Sequence, residues 1–137
     1  MSIKGGSTAQ VARQDEVRLA VPAMPEFLRL ARVTAAGLAS RLGFTFDQVE
    51  DLRLAIDELC FGLTGAHGRA GIVELRFVVQ DGALEVEGHG HFDDNHYVPE
   101  LSELSKVILD ALVDEHALSS AKGGPRFRLV KRRAPAD

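Results

Sequence analysis

An amphipathic pattern between Asp47 and His67 constrains the fold of this chain more than any other feature. Its apolar residues recur every three or four positions, the spacing that places side chains on one face of a helix. They are Val49, Leu52, Ala55, Ile56, Leu59 and Leu63. Thr45 followed three residues later by Gln48 is a capping box, which marks a helix start. We therefore predict a long core helix, with Asp57 and Glu58 near the edge of its buried stripe.

The flanking segments predict two further helices and several short strands. Residues 16–21 alternate apolar and polar side chains, and Asp81-Gly82 joins two strand-like runs with a strong hairpin signal. In chain order, the other predicted elements are a strand over Glu16–Val21, a helix over Glu26–Leu42, strands over Ile72–Val79 and Ala83–Glu87, a helix from Pro99 to about Asp114, and a strand over Arg126–Lys131.

Three helices and about four strands predict an α+β fold. With a mostly antiparallel sheet and the helices collected on one face, the expected architecture is a two-layer α/β sandwich. A chain of 137 residues that is 45% hydrophobic is large enough for one domain and too short for two ordinary ones. We place that domain at residues 15–133, between polar tails at residues 1–14 and 134–137.

Charge and composition exclude several classes of function. The net charge of −4 gives no electrostatic reason to bind nucleic acid directly. Neither a signal peptide nor the roughly 18 consecutive apolar residues of a membrane span is present in the sequence. We therefore expect a cytoplasmic protein without a membrane partner. The single cysteine, Cys60, lies beside the apolar stripe and is predicted to be a small buried side chain.

Three segments carry a resemblance to a known family: Leu54–Glu58, Arg32 within LRLARV, and Leu112–Glu115. They resemble the GHKL (HATPase_c) superfamily, specifically the anti-sigma factors of the RsbW and SpoIIAB type, which are serine-protein kinases. The resemblance implies a Bergerat-like fold, with Glu58 as the general base and ATP with magnesium as cofactors. It also implies a homodimer whose partners are a sigma factor and a STAS-domain anti-anti-sigma factor.

The sequence departs from that family at each nucleotide-binding box, and so resembles an actinobacterial branch with degenerate boxes. Gly62 stands where the family has a magnesium-ligating Asn four residues after the Glu. Glu87-Gly88-His89-Gly90-His91 replaces the Asp-x-Gly-x-Gly segment, Glu103-Leu104-Ser105 replaces the second glycine box, and Gly124-Pro125 replaces a Gly-Thr pair. The residues at these degenerate positions are Glu58, Gly62, Glu87, His89, His91 and Gly124. We predict that nucleotide binding is lost, that Glu58 is a vestigial base, and that no cofactor is needed.

These departures favour a regulator that acts by protein binding. In the family, an Arg at the position of Arg32 holds the sigma factor and, alternatively, its antagonist, so Arg29 and Arg32 are the expected partner-binding residues. The protein would sequester a sigma factor and be countered by the STAS-type partner. The alternative is an active ATP-dependent serine-protein kinase that phosphorylates the anti-anti-sigma factor.

A histidine cluster supports a second alternative, a metal-binding protein. His89 and His91 would share one side of an extended strand, and His96 follows close behind. However, the only cysteine lies elsewhere, no HExxH spacing occurs, and Asp93-Asp94-Asn95-His96 fits a polar loop equally well. The sequence alone therefore assigns no metal to these histidines.

Overall fold

A computed structural model describes residues 15–94, 98–120 and 123–134. Its strands are β1 (Asp15–Pro22), β2 (Gly71–Gln80), β3 (Ala83–Phe92), β4 (Glu115–Ser119) and β5 (Arg126–Arg132), and its helices are α1 (Pro25–Arg41), α2 (Phe46–Thr64) and α3 (Glu103–Leu112). None of the described helices is both long and apolar enough to cross a membrane. The predicted tail at residues 1–14 and all but Ala134 of the C-terminal tail lie outside the described residues.

All five strands belong to one antiparallel sheet, in the order β1-β2-β3-β5-β4. The β2–β3 hairpin sets its centre, with Gln80 paired to Ala83 across the turn. Asp81 and Gly82 both have positive φ, 49° and 74°, the backbone that a tight two-residue hairpin turn requires. The predicted Asp-Gly hairpin is therefore confirmed, and its register fixes which β3 residues face the helices.

The core lies between one face of this sheet and the helices, which confirms the predicted α+β two-layer sandwich. Helix α2 buries Leu52, Ile56, Leu59 and Leu63 completely, as its periodicity predicts. They belong to one cluster with the inward residues of β2 and β3, and each contributes about 1.5–3 kcal/mol by leaving water. Because their packing joins the two layers, α2 is the element that fixes the geometry of the rest.

Cys60 lies on the same buried side of α2, as the sequence predicts. Burial, followed by the negative charge of Asp57, raises the pKa of its thiol to about 12. Because the thiolate is the reactive form, Cys60 is a core side chain and not a nucleophile at neutral pH.

Two sequence predictions were wrong in the C-terminal part of the domain. Helix α3 begins at Glu103 and not at Pro99, because the Ser102 hydroxyl accepts the backbone N–H of Ser105 and caps the helix there. The chain after the helix also forms a fifth strand, β4, which was not predicted. This strand has five residues and lies at the sheet edge, so its sequence carries little alternation to detect.

The start of α2 provides a test of the local structure. Thr45 Oγ1 accepts the Gln48 backbone N–H at 3.1 Å, and Gln48 Oε1 accepts the Thr45 N–H at 3.0 Å. Thr45→Ala should lower the free energy of unfolding by about 1 kcal/mol, the usual cost of losing an N-cap hydroxyl. Urea denaturation measures the change, with Thr45→Ser as the control that keeps the cap. Equal stability of the Ala and Ser variants would contradict this account.

Candidate functional site

A cleft with a volume of about 440 Å³ lies between the first half of α1 and the second half of α2. Arg29 and Arg32 line it from α1, while Asp57 and Phe61 line it from α2. Nη1 of Arg32 donates to Oδ2 of Asp57 at 3.1 Å. The structure therefore brings both predicted partner-binding arginines to one surface, which we call the α1/α2 cleft, and adds an acid that the sequence did not link to them.

The Arg32–Asp57 pair is well suited to exchange its partner. The two side chains are 33% and 47% exposed, and ion pairs this accessible contribute only about 0–1 kcal/mol to stability. Arg32 Nε is buried and has no hydrogen-bond acceptor in the described structure. An orphan donor of this kind costs about 1–3 kcal/mol. Arg29 is exposed and forms no ion pair with the described residues.

Large apolar side chains are exposed near these charges. Phe27, Leu30 and Val33 on α1 are 42%, 44% and 61% exposed, and Phe61 on α2 is 58% exposed. Aromatic and aliphatic groups mixed with arginines are the composition of protein–protein interfaces, in which a few such side chains carry most of the binding energy. The exposed side of the α1–α2 pair therefore has the chemistry of a binding surface.

Glu58, the candidate base, lies farther around α2 and contacts α3. Its Oε1 accepts a hydrogen bond from Ser105 Oγ at 2.7 Å. One turn later, Gly62 is buried against two leucines: a Cβ atom there would lie 2.9 Å from Leu101 Cδ2 and 3.2 Å from Leu118 Cδ2. Methyl groups of two leucine side chains therefore lie where the first atom of a side chain at position 62 would stand.

The Glu87–His91 segment is not a turn but part of the regular strand β3. Its side chains alternate, so Gly88 and Gly90 face the helices while Glu87, His89 and His91 face the opposite, outer side of the sheet. Glu87 accepts a hydrogen bond from Arg76 there, at 3.0 Å. The acid in this segment thus points away from Glu58, and these degenerate-box residues do not converge on one site.

Aromatic rings fill the inner side of the same segment. A Cβ atom on Gly88 would lie 2.3 Å from the ring of Phe127, and one on Gly90 would lie 2.4 Å from the ring of Phe92. Gly124 precedes β5. A Cβ atom on Gly124 would lie 2.9 Å from the carbonyl oxygen of Gly90. Gly124 is therefore near the β3 segment but is not brought to Glu58 or Gly62 by any described contact.

The outer face of the sheet is covered by paired charges. Arg76 bridges Glu16 and Glu87, each at 3.0 Å, and Arg128 pairs with Glu115 at 3.0 Å. The hydrogen bond from Arg128, followed by one from Arg132, holds the pKa of the Glu115 carboxyl below its usual value. Most of the acidic side chains on this face therefore form ion pairs with guanidinium groups.

Glu74 differs from those acids because its ion-pair partner is a histidine. Its Oε1 lies 2.5 Å from Nε2 of His91, and His89 is close to both residues. The sequence prediction did not include Glu74, since nothing local distinguishes it, whereas the register pairs it directly with His89 across the strands. His96, the third histidine of the predicted cluster, lies outside the described residues.

The glycines facing the helices allow a test of this packing. Gly88→Ala should lower the free energy of unfolding by about 1–3 kcal/mol, because the added methyl group overpacks against the ring of Phe127. Gly37→Ala is the matched control: Gly37 is helical and exposed, with nothing within 4 Å of a Cβ, so this change should stabilise by about 0.5–1 kcal/mol. Thermal or urea unfolding measures both. A neutral Gly88→Ala would show that the inner side retains open space.

Comparisons with known proteins place this chain in a family. No established protein-family profile matches the chain. Serine-protein kinase RsbW of Bacillus subtilis (strain 168) is 33% identical over 129 residues, covering 80% of this chain and 81% of that protein. The Bacillus velezensis protein of the same name is 33% identical over 132 residues, and that of Halalkalibacterium halodurans is 26% identical over 132 residues, with coverage of at least 80% in each case. The chain therefore belongs to the RsbW family of GHKL-type proteins.

Proposed function

We propose that this protein is an anti-sigma factor-like regulator that sequesters a sigma factor by binding it, without using a nucleotide. A STAS-domain anti-anti-sigma factor would counter it by competing for the same surface. The packing of Leu101 and Leu118 against Gly62 is the observation that supports binding without a nucleotide. Gly62 stands at the position where the family has its magnesium ligand.

The described residues do not fit a magnesium–nucleotide complex at this place. Magnesium is held by oxygen atoms and demands near-ideal octahedral geometry, whereas Gly62 offers no side-chain oxygen and its neighbours are methyl groups. The inward side of the adenine-box segment faces the Phe127 and Phe92 rings, and its acid, Glu87, pairs with Arg76 on the outer face. Each lost partner costs about 1–3 kcal/mol, so three losses weaken nucleotide binding by about two to seven orders of magnitude.

The α1/α2 cleft supports the partner-binding part of the proposal. Arg32 and Arg29 present guanidinium groups that suit bidentate pairing with acidic partner residues. A partner carboxylate would replace Asp57 at Arg32. Exposed apolar side chains such as Phe61 would supply the apolar contact area. Homodimerisation, which the resemblance implies, remains an expectation.

An active serine-protein kinase is the second candidate function. Two observations favour it: the relatives carry the name serine-protein kinase, and Glu58 keeps its place on α2 with a hydrogen bond from Ser105. Under this alternative Glu58 would accept the proton of the attacking serine hydroxyl. The residues around Gly62 would then have to rearrange to admit the nucleotide.

Titration calorimetry with ATP and magnesium separates the two functions. We expect no saturable heat with the full chain up to about 1 mM ATP, since three recognition elements are missing at about 1–3 kcal/mol each. The RsbW protein of Bacillus subtilis, titrated in parallel, is the positive control. Submillimolar binding that requires magnesium would contradict the proposal and favour the kinase.

Affinity capture from a lysate of the native cells tests the binding surface. The wild-type chain should recover a sigma factor or a STAS-domain protein, identified by mass spectrometry. Arg32→Ala should weaken binding of that purified partner about tenfold or more, the cost of losing a central arginine anchor. Arg41→Ala removes the same charge from the last turn of the same helix and should leave the affinity unchanged.

Two outcomes would contradict this assignment. Recovery of neither type of protein by the wild-type chain would remove the regulatory role. Equal loss of affinity in Arg32→Ala and Arg41→Ala would show that overall charge, and not the α1/α2 cleft, governs binding.

A further inference from the structure

We propose that Glu74, His89 and His91 form a binding site for a transition-metal dication of the zinc class on the outer face of the sheet. One ligand atom from each residue lies within 4.8 Å of the other two. The two imidazole rings are adjacent, with centroids 4.2 Å apart. Two imidazoles and one carboxylate are a ligand set that suits Zn²⁺ and its neighbours, and these three residues are called the outer-face site below.

The backbone brings these side chains together without any loop rearrangement. His89 and His91 are two residues apart on β3, so they project from the same face. Glu74 on β2 is the direct cross-strand partner of His89, and such partners have Cβ atoms about 4.5–5.5 Å apart. Both strands are internal to the sheet, with hydrogen-bonded neighbours on each side. The site therefore stands on a rigid platform, as a preorganised metal site needs.

Glu74 and His91 are already in direct contact. Their ligand atoms, Glu74 Oε1 and His91 Nε2, are 2.5 Å apart. Zinc holds nitrogen and oxygen ligands at about 2.0–2.2 Å, which separates tetrahedral ligand atoms by about 3.3 Å. Rotation of the three side chains would convert one arrangement into the other.

His89 is oriented by the loop that precedes β5. Its Nε2 lies 2.6 Å from the carbonyl oxygen of Gly123, which can only accept, so this contact requires the tautomer with the proton on Nε2 and the lone pair on Nδ1. A metal-binding histidine commonly donates its second ring N–H to a backbone carbonyl in this way, which fixes the tautomer. The Gly123 carbonyl therefore supports His89 as a ligand through Nδ1.

The charges around the outer-face site allow a dication but do not favour a tight complex. Glu74 supplies one negative charge, and the guanidinium of Arg126 lies 3.5 Å from His89 Nε2. Three protein ligands leave the fourth position of a tetrahedral zinc open for water or another donor. The site has the composition of an exchangeable metal site and not of a structural one.

This inference is independent of the proposed function. The outer-face site lies on the side of the sheet away from α1 and α2, whereas partner binding is assigned to the α1/α2 cleft. Loss of metal binding would leave the sigma-factor proposal intact, and failure to capture a sigma factor would leave the metal site intact.

Titration of the full chain with ZnCl₂ tests the site. The protein is prepared without a histidine tag and treated with chelator, and binding is followed by calorimetry and by competition with a chromogenic chelator. We expect one zinc ion per chain. His89→Ala, His91→Ala and Glu74→Gln should each weaken binding at least tenfold, because each removes a ligand. Circular dichroism checks that the variants remain folded.

His67→Ala is the matched control, since it removes an exposed histidine from the loop after α2 and should leave zinc binding unchanged. X-ray absorption of the zinc complex should show two imidazole ligands. A wild-type chain that binds no zinc would overturn the inference. Wild-type affinity in both His89→Ala and His91→Ala would also overturn it, because the metal would then be bound elsewhere.

Discussion

The packing of α2 on the β2–β3 hairpin is the interaction on which the rest of the structure depends. Four α2 side chains are completely buried and form one cluster with the inward side chains of the hairpin. This contact fixes which edge of α2 faces α1 and which faces α3. It thereby places Asp57 beside Arg32, and Glu58 beside Ser105. Two adjacent acids thus have different environments, because successive helix residues point about 100° apart.

The two-residue period of β3 separates the remaining chemistry. Residues with no side chain, Gly88 and Gly90, face the core, where Phe127 and Phe92 take up the space. Glu87, His89 and His91 face outward among ion pairs and histidine contacts. A shift of one residue in register would exchange the two faces, burying the charged set. The same alternation therefore fills the inner side of the Glu87–His91 segment with aromatic rings and gathers potential metal ligands on the outer side.

Sequence patterns predicted the elements whose signals are local. The α2 stripe, its capping box and the Asp81-Gly82 hairpin depend on residues within a few positions of one another, and all are present. The edge strand β4 and the start of α3 were missed, because a five-residue strand and a competing Ser102 cap leave weak local signals. Long-range pairings such as Arg32 with Asp57 and Glu74 with His89 depend on packing and register, which no local pattern encodes.

Loss of a nucleotide site and retention of a binding surface have very different energetic consequences. A buried metal or nucleotide site fails when a single ligand is missing, because the remaining polar groups stay desolvated. An exposed surface tolerates change, since most interface residues contribute little and a few anchors dominate. A regulator without phosphoryl transfer must then be switched by competition at one surface. Under the proposed function both partners need Arg32 and exclude each other, so their relative concentrations and affinities decide which complex forms.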